Sequence, residues 1–164
     1  METHQKSKGS IFAKNIMIVA ACSTVTWFLC QHIKVTLTNS LSRRVFWAVN
    51  DDHQARRIKT GMYITFDQHV PRPVSRVVTF IKKAGCSSGE HLKVEAGSYY
   101  CNGKYLGHAK TKSLRGDPLT PFIYNGEIPA GMFFALGDHP DSYDSRYVGF
   151  ISRDRIKEVA WALF

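Results

Sequence analysis

Gly137–Gly149 reads GDHPDSYDSRYVG, and an apolar run, Met132–Leu136 (MFFAL), leads into it. Between its glycines the segment gathers Asp138, Asp141, Ser142, Asp144, Ser145 and Arg146. Short polar side chains at this density, directly after a run that reads as a buried strand, point to a supported site. The plainer alternative is a satisfied polar turn.

Outward from this segment the chain is a series of short strand-like runs. Val45–Val49, Gly61–Phe66, Val77–Ile81, Leu92–Glu95, Phe122–Tyr124, Met132–Leu136 and Glu158–Leu163 are rich in β-branched and aromatic residues. A loop with Pro71 and Pro73 separates the second from the third. Tyr99–Leu106 (YYCNGKYL) carries Asn102-Gly103 between aromatics, a strong hairpin signal. Helical periodicity is poor here. The expectation is a mainly β, folded antiparallel domain over residues 34–164.

The N-terminus differs. Residues 1–10 are polar and are expected to lack regular structure. Ile16–Cys30 (IMIVAACSTVTWFLC) has no charge. With its flanks it gives a segment, 11–33, of the length a membrane-spanning helix needs. Lys14 sits near the end of that helix, where it can snorkel. Lys6, Lys8 and Lys14 predict a cytoplasmic N-terminus and an exported body. Ala20-Ala21-Cys22-Ser23 offers a cleaved signal peptide as the alternative; we read the segment as a retained, single-pass anchor.

The formal net charge is +9, but the basic residues (Arg43, Arg44, Arg56, Arg57, Lys82, Lys83, Arg153, Arg155) are spread out with acids between them. That pattern fits a solvated surface or attraction to anionic lipid. With no basic stripe and no recognition motif, no nucleic-acid partner is expected. Of four cysteines, Cys22 and Cys30 lie in the anchor, and Cys86 and Cys101 in the domain. The second pair is either a disulfide or two buried thiols. No CxxC occurs, and neither metal nor cofactor is expected.

Serine chemistry needs a base. The seven histidines are scattered through polar stretches and no Gly-x-Ser-x-Gly occurs, which disfavours a histidine base. Lysine can serve only when neutral, and burial among apolar groups is what makes it so. Lys82 and Lys83 each end one face of the Val77–Lys83 run, and alternation alone does not choose between them. The candidate nucleophiles lie just past the anchor, in Thr38-Asn39-Ser40-Leu41-Ser42.

Together these parts resemble the signal peptidase superfamily, most closely its TraF-type members from conjugative transfer systems. In that family a serine just beyond the anchor opens a Ser-x-Pro-x-Gly-x-Tyr/Phe motif. Ser40-Leu41-Ser42-Arg43-Arg44-Val45-Phe46 keeps the serine and the aromatic but has Ser42 and Arg44 at the proline and glycine, which leaves Ser42 as a second choice of nucleophile. Gly61–Phe66 looks like the family's Gly-Asp-Tyr-Val-type strand. Ile81–Glu90 (IKKAGCSSGE) resembles the family's lysine stretch and puts the base at Lys82. Gly137, Asp138, Ser142, Asp144, Ser145, Arg146, Tyr147 and Gly149 fit its C-terminal box.

The resemblance implies a Ser40/Lys82 dyad, with Ser142 aiming the lysine and an Asp144–Arg146 pair supporting the box. It also implies a periplasmic serine endopeptidase domain on a bacterial inner-membrane anchor. A propilin-like substrate with small residues before the cleavage site is expected, together with contacts to a transfer apparatus. Cleavage could end in hydrolysis or in cyclisation. The missing proline and glycine motivate a second reading, a non-catalytic assembly factor that keeps the fold.

Overall fold

A computed structural model describes residues 3–50, 57–70 and 76–164. The chain divides into two compact units, Met1–Lys34 and Val35–Phe164. Arg56 and the loop with Pro71 and Pro73 lie outside the described residues.

The first unit is dominated by helix α1 (Thr3–His32). Its Ile11–His32 stretch, with a mean hydropathy of 1.5, is long and apolar enough to cross a membrane. The helix begins at Thr3, so residues 3–10 are helical where the sequence suggested none. Once an apolar helix is nucleated, extending it through Gln and Lys costs little.

The second unit is built from two antiparallel sheets. After β1 (Ile33–Val35), which straddles the boundary between the units, its strands are β2 (Val45–Val49), β3 (Tyr63–Val70), β4 (Arg76–Ser87), β5 (His91–Glu95), β6 (Ser98–Cys101), β7 (Lys104–His108), β8 (Gly126–Glu127), β9 (Met132–Leu136), β10 (Ile151–Ser152) and β11 (Ile156–Ala162). The large sheet runs β1-β2-β11-β3-β4-β9-β10 and the small one β7-β6-β5-β8. The expected mainly β architecture is therefore what the chain adopts.

Pattern explains the ladders. In β5, His91–Glu95 alternates exposed and buried, with Leu92 and Val94 inward. β9 is buried on both faces: Phe133, Phe134 and Ala135 are all inaccessible or nearly so. That is why it reads as an unbroken apolar run. Asn102 and Gly103 both have positive φ (48° and 80°), the type I′ geometry that closes β6 onto β7.

The core between the sheets joins Cys86, Phe134 and Leu136 to Leu92, Tyr99, Cys101 and Ile128. Within it Cys86 and Cys101 form a disulfide from β4 to β6, across 15 positions of sequence. For a loop of that length the chain-entropy model gives about 3 kcal/mol. A Cys86→Ser/Cys101→Ser variant should lose that much in denaturant unfolding and should no longer respond to reductant.

Two local expectations fail. Phe122–Tyr124 is not a strand. Phe122 N–H donates to Arg146 O, and the rings of Phe122 and Tyr124 pack on Phe150 at 5.1 and 4.9 Å. Those aromatics serve ring packing rather than a ladder. The polar segment also contains a short helix, α2 (Ser145–Val148). Four residues are too few to show periodicity. Asp144 caps it and Gly149, at φ 75°, ends it.

Candidate active site

Strand pairing positions the lysine. Lys82 lies opposite Ile64 on β3, two residues after the Phe80–Phe66 pair. Ile64 and Phe66 are fully buried, so the Lys82 face is apolar and Lys82 itself is only 4% exposed. Lys83 points the other way, half-buried, with its ammonium 5.9 Å from the Tyr63 ring. Burial thus separates two lysines that alternation left equivalent. A bulge between Ala84 and Cys86 follows at once. It is centred on Gly85, where an added Cβ would lie 2.6 Å from Leu136 Cδ1. Bulges of this kind re-aim neighbouring side chains.

Lys82 Nζ donates to Ser142 Oγ at 2.7 Å and lies 5.3 Å from the Phe80 ring centroid. Burial disfavours its charged form and draws its pKa down from 10.5 to about 8. The carboxylates of Asp144 and Asp138 oppose that shift, and the Arg146 guanidinium adds to it. The amine is close to half neutral one unit above neutrality, within a general base's working range.

Ser142 is held by the box. Asp144, fully buried, accepts from Arg146 Nη2 (2.8 Å), Nε (2.9 Å) and backbone N (3.1 Å), and from Gly137 N (2.9 Å). Arg146 Nη1 donates to the His108 carbonyl (2.9 Å), and Nη2, already on Asp144, is shared with the carbonyls of His139 (3.2 Å) and Ser142 (3.3 Å). Ser145 Oγ accepts from Ala135 N at 2.8 Å, which ties α2 to β9. Tyr99 OH donates to the carbonyls of Phe122 and Arg146 at 2.7 and 3.1 Å. Burial raises the pKa of that phenol to about 12, so it remains a donor. Every buried charge in the box has a partner, the condition for burying charge at all.

The serine segment docks on the same box. Ser40 is partly buried, and its Oγ lies 3.1 Å from Thr38 Oγ1. Its carbonyl accepts from His139 N at 3.2 Å. A Cβ at Gly137 would collide with Ser142 and sit 2.5 Å from that carbonyl. Gly137 is thus the point where the serine segment meets the lysine's partner, and the structure brings Ser40, Lys82, Ser142, Asp144 and Arg146 into one neighbourhood. Ser40 Oγ and Lys82 Nζ are each engaged elsewhere and not with one another.

Ser42 N and Oγ both donate to Asp138 Oδ2, at 2.9 and 2.7 Å. Sequence reasoning quoted Asp138 but gave it no role. Its partner lies 96 positions away, and no local pattern reports such a pairing.

Beside the box lies a cleft of about 470 Å³. Ala84, Gly85 and Leu136 line it from the large sheet, Tyr105 and Leu106 from the small one, and Gly137 and Asp138 at the site.

Among solved structures, a signal peptidase I from Enterococcus faecalis V583 is similar to part of the chain. It is 26% identical, covering 62% of this chain and 95% of that one, with a TM-score of 0.39. No curated protein matches the chain. The family model described as "Signal peptidase, peptidase S26" matches residues 9–163, nearly the whole length. The chain belongs to the signal peptidase family, peptidase S26, a family of serine endopeptidases.

Proposed function

We propose that this chain is a membrane-anchored serine endopeptidase in which Ser40 is the nucleophile and Lys82 the general base. The observation that carries the reading is the buried Lys82 amine, drawn toward neutrality and fixed on Ser142 Oγ beside the Ser40 segment. The Ser142 bond uses one Nζ proton and directs the amine, so that its lone pair is free for Ser40.

The Ser40 hydroxyl turns from Thr38 toward the amine when substrate arrives, since catalytic hydrogen bonds often form only in the complex. Lys82 takes the Ser40 proton as Oγ bonds to the scissile carbonyl carbon. Backbone donors near Ser40, its own N–H among them, stabilise the oxyanion. The C–N bond then breaks, Lys82 returns the proton to the leaving amine, and an acyl-Ser40 ester remains. Water or a substrate amine resolves it. Small residues before the scissile bond follow from the resemblance to the signal peptidase superfamily; the cleft is lined by Lys83 and by neither Ser40 nor Lys82.

We extend this reading to a TraF-type enzyme of a bacterial inner membrane. Residues 1–10 form its cytoplasmic tail, 11–33 its anchor and 34–164 its periplasmic domain. The order of anchor, serine, lysine and box supports it, as do Lys6, Lys8 and Lys14 before the apolar helix. Its substrate is a propilin-like exported protein of a transfer apparatus.

The test incubates full-length protein in detergent with a pilin precursor and reads the products by mass spectrometry. Wild type should release the leader, and linear and cyclic products differ by one water. Ser40→Ala should lose roughly 10³-fold or more of the rate. Undiminished processing by Ser40→Ala rejects Ser40 as nucleophile and turns the assignment to Ser42, whereas no processing by the wild-type protein favours a non-catalytic assembly role.

A further inference from the structure

The segment carrying Ser40 is irregular between β1 and β2, with Asn39, Ser42 and Arg43 exposed. Its own backbone forms no ladder to hold it. Three contacts to other parts of the domain do so in consecutive residues. The Ser40 carbonyl accepts from His139 N–H at 3.2 Å. Leu41 turns inward, 4% exposed, into the cluster of Phe46, Ala48 and Ala160. Ser42 then places two donors, N–H and Oγ, on a single carboxylate oxygen of Asp138 at 2.9 and 2.7 Å. Hydrogen bonds to an ionised acceptor are roughly twice as strong as neutral ones. Two of them from one residue fix both its backbone and its side chain.

We propose that Asp138 is a positioning residue for Ser40, acting through a two-donor clamp on Ser42 that sets the angle at which the Ser40 hydroxyl faces Lys82 and the scissile carbonyl. Ser42 stands where the motif resembled by this segment has proline, a residue that restricts the backbone by its ring. Here the restraint comes from a side chain on the far side of the fold. The clamp also accounts for the Ser42 hydroxyl as a donor to Asp138 and not as the attacking group. This inference rests on the assignment of Ser40 as nucleophile.

The test measures kcat and KM of full-length protein in detergent, on a peptide with Ala-x-Ala before the scissile bond. The variants are Ser42→Ala, Ser42→Thr, Asp138→Ala, Ser42→Ala/Asp138→Ala and Ser40→Ala. Asp138→Ala should lower kcat about 10–100-fold with KM within about twofold, the scale of a misdirected nucleophile. Ser42→Ala keeps the amide bond and should lose less, about 3–10-fold, and Ser42→Thr should restore the rate. The double variant should be no slower than Asp138→Ala alone.

The acid limb of the pH–rate profile gives a second readout. Lys82 faces Asp144, Arg146 and Asp138. Removing the Asp138 charge should move that limb to lower pH, and Ser42→Ala should leave it in place. That shift reports the Asp138 charge beside Lys82 with or without the clamp, so the shared loss in kcat, with rescue by Ser42→Thr, is what a merely structural Asp138 does not predict. Multiplying losses, a loss confined to KM, or an unimpaired Asp138→Ala overturns the clamp. If Asp138→Ala does not fold, the exposed Ser42 pair decides: equal rates for Ser42→Ala and Ser42→Thr overturn it. Inactive Ser40→Ala beside fully active Asp138→Ala refutes the clamp alone. Active Ser40→Ala beside inactive Ser42→Ala refutes the nucleophile assignment, and the clamp with it.

Discussion

Lys82→Met should abolish peptide cleavage while making the folded domain more stable at neutral pH. The lysine is buried among Ile64, Phe66 and Phe80, and its pKa falls from 10.5 to about 8. Below about pH 8 the folded protein holds a charge that its surroundings disfavour. Between about pH 8 and 10.5 the unfolded chain binds more protons than the folded one, so stability rises with pH across that window. Above 10.5 both states are neutral and the penalty is gone. The difference between the two pKa values corresponds to about 3 kcal/mol. Methionine carries no charge and has similar length, but it leaves Ser142 Oγ without its donor, at a cost of about 1–2 kcal/mol. A net gain of about 1–2 kcal/mol at pH 7 is the expected result in denaturant unfolding, and the rise above pH 8 should vanish.

Loss of the base should lower the cleavage rate by roughly 10²–10⁴-fold. In the wild-type protein the rate should climb with pH as Lys82 gives up its proton, reach half-maximum near pH 8, and level off above. A rate independent of pH from 6 to 10 argues against a lysine base.

Arg146→Ala should cost about 3–5 kcal/mol, the scale of breaking a buried ion pair from one side. Asp144 is fully buried and would keep a negative charge with its main partner gone. The carbonyls of His108, His139 and Ser142 would lose donors together. Arg146→Lys should rescue little, because one ammonium cannot reproduce a planar fork serving five acceptors. Removing both charges in Asp144→Ala/Arg146→Ala should cost less than the two single losses added, since no unpaired charge remains. Thermal unfolding checks this, with a drop of roughly 10 °C or more for Arg146→Ala. Equal small shifts for all three variants would show the pair to be replaceable packing.

Most of the strand ladder was legible because strand signals are local. Alternation in His91–Glu95, the Asn102-Gly103 turn and the doubly buried Met132–Leu136 run each declare themselves within a few residues. Where local reading failed, a distant contact had won. Phe122–Tyr124 has strand composition, but Arg146 takes its backbone and Phe150 its rings. The helix at Ser145–Val148 exists because Asp144 caps it from within a buried ion-paired cluster, not because its residues favour helix.

For the candidate site the division is sharper. Composition and order along the chain marked the apolar helix and the polar box, while the serine segment and Lys82 were singled out by the resemblance to the signal peptidase superfamily. Which lysine turns inward depended on the apolar face that β3 presents to β4, and alternation is blind to that. The Cys86–Cys101 bond depended on two sheets meeting. The bond between Ser42 and Asp138 spans 96 positions. Period and spacing act over a few residues, whereas burial, pKa and long-range pairing exist only once the chain has closed on itself. GDHPDSYDSRYVG could therefore be recognised as a site by reading alone. That it serves as the frame on which Lys82 and the Ser40 segment are brought together was decided by the fold.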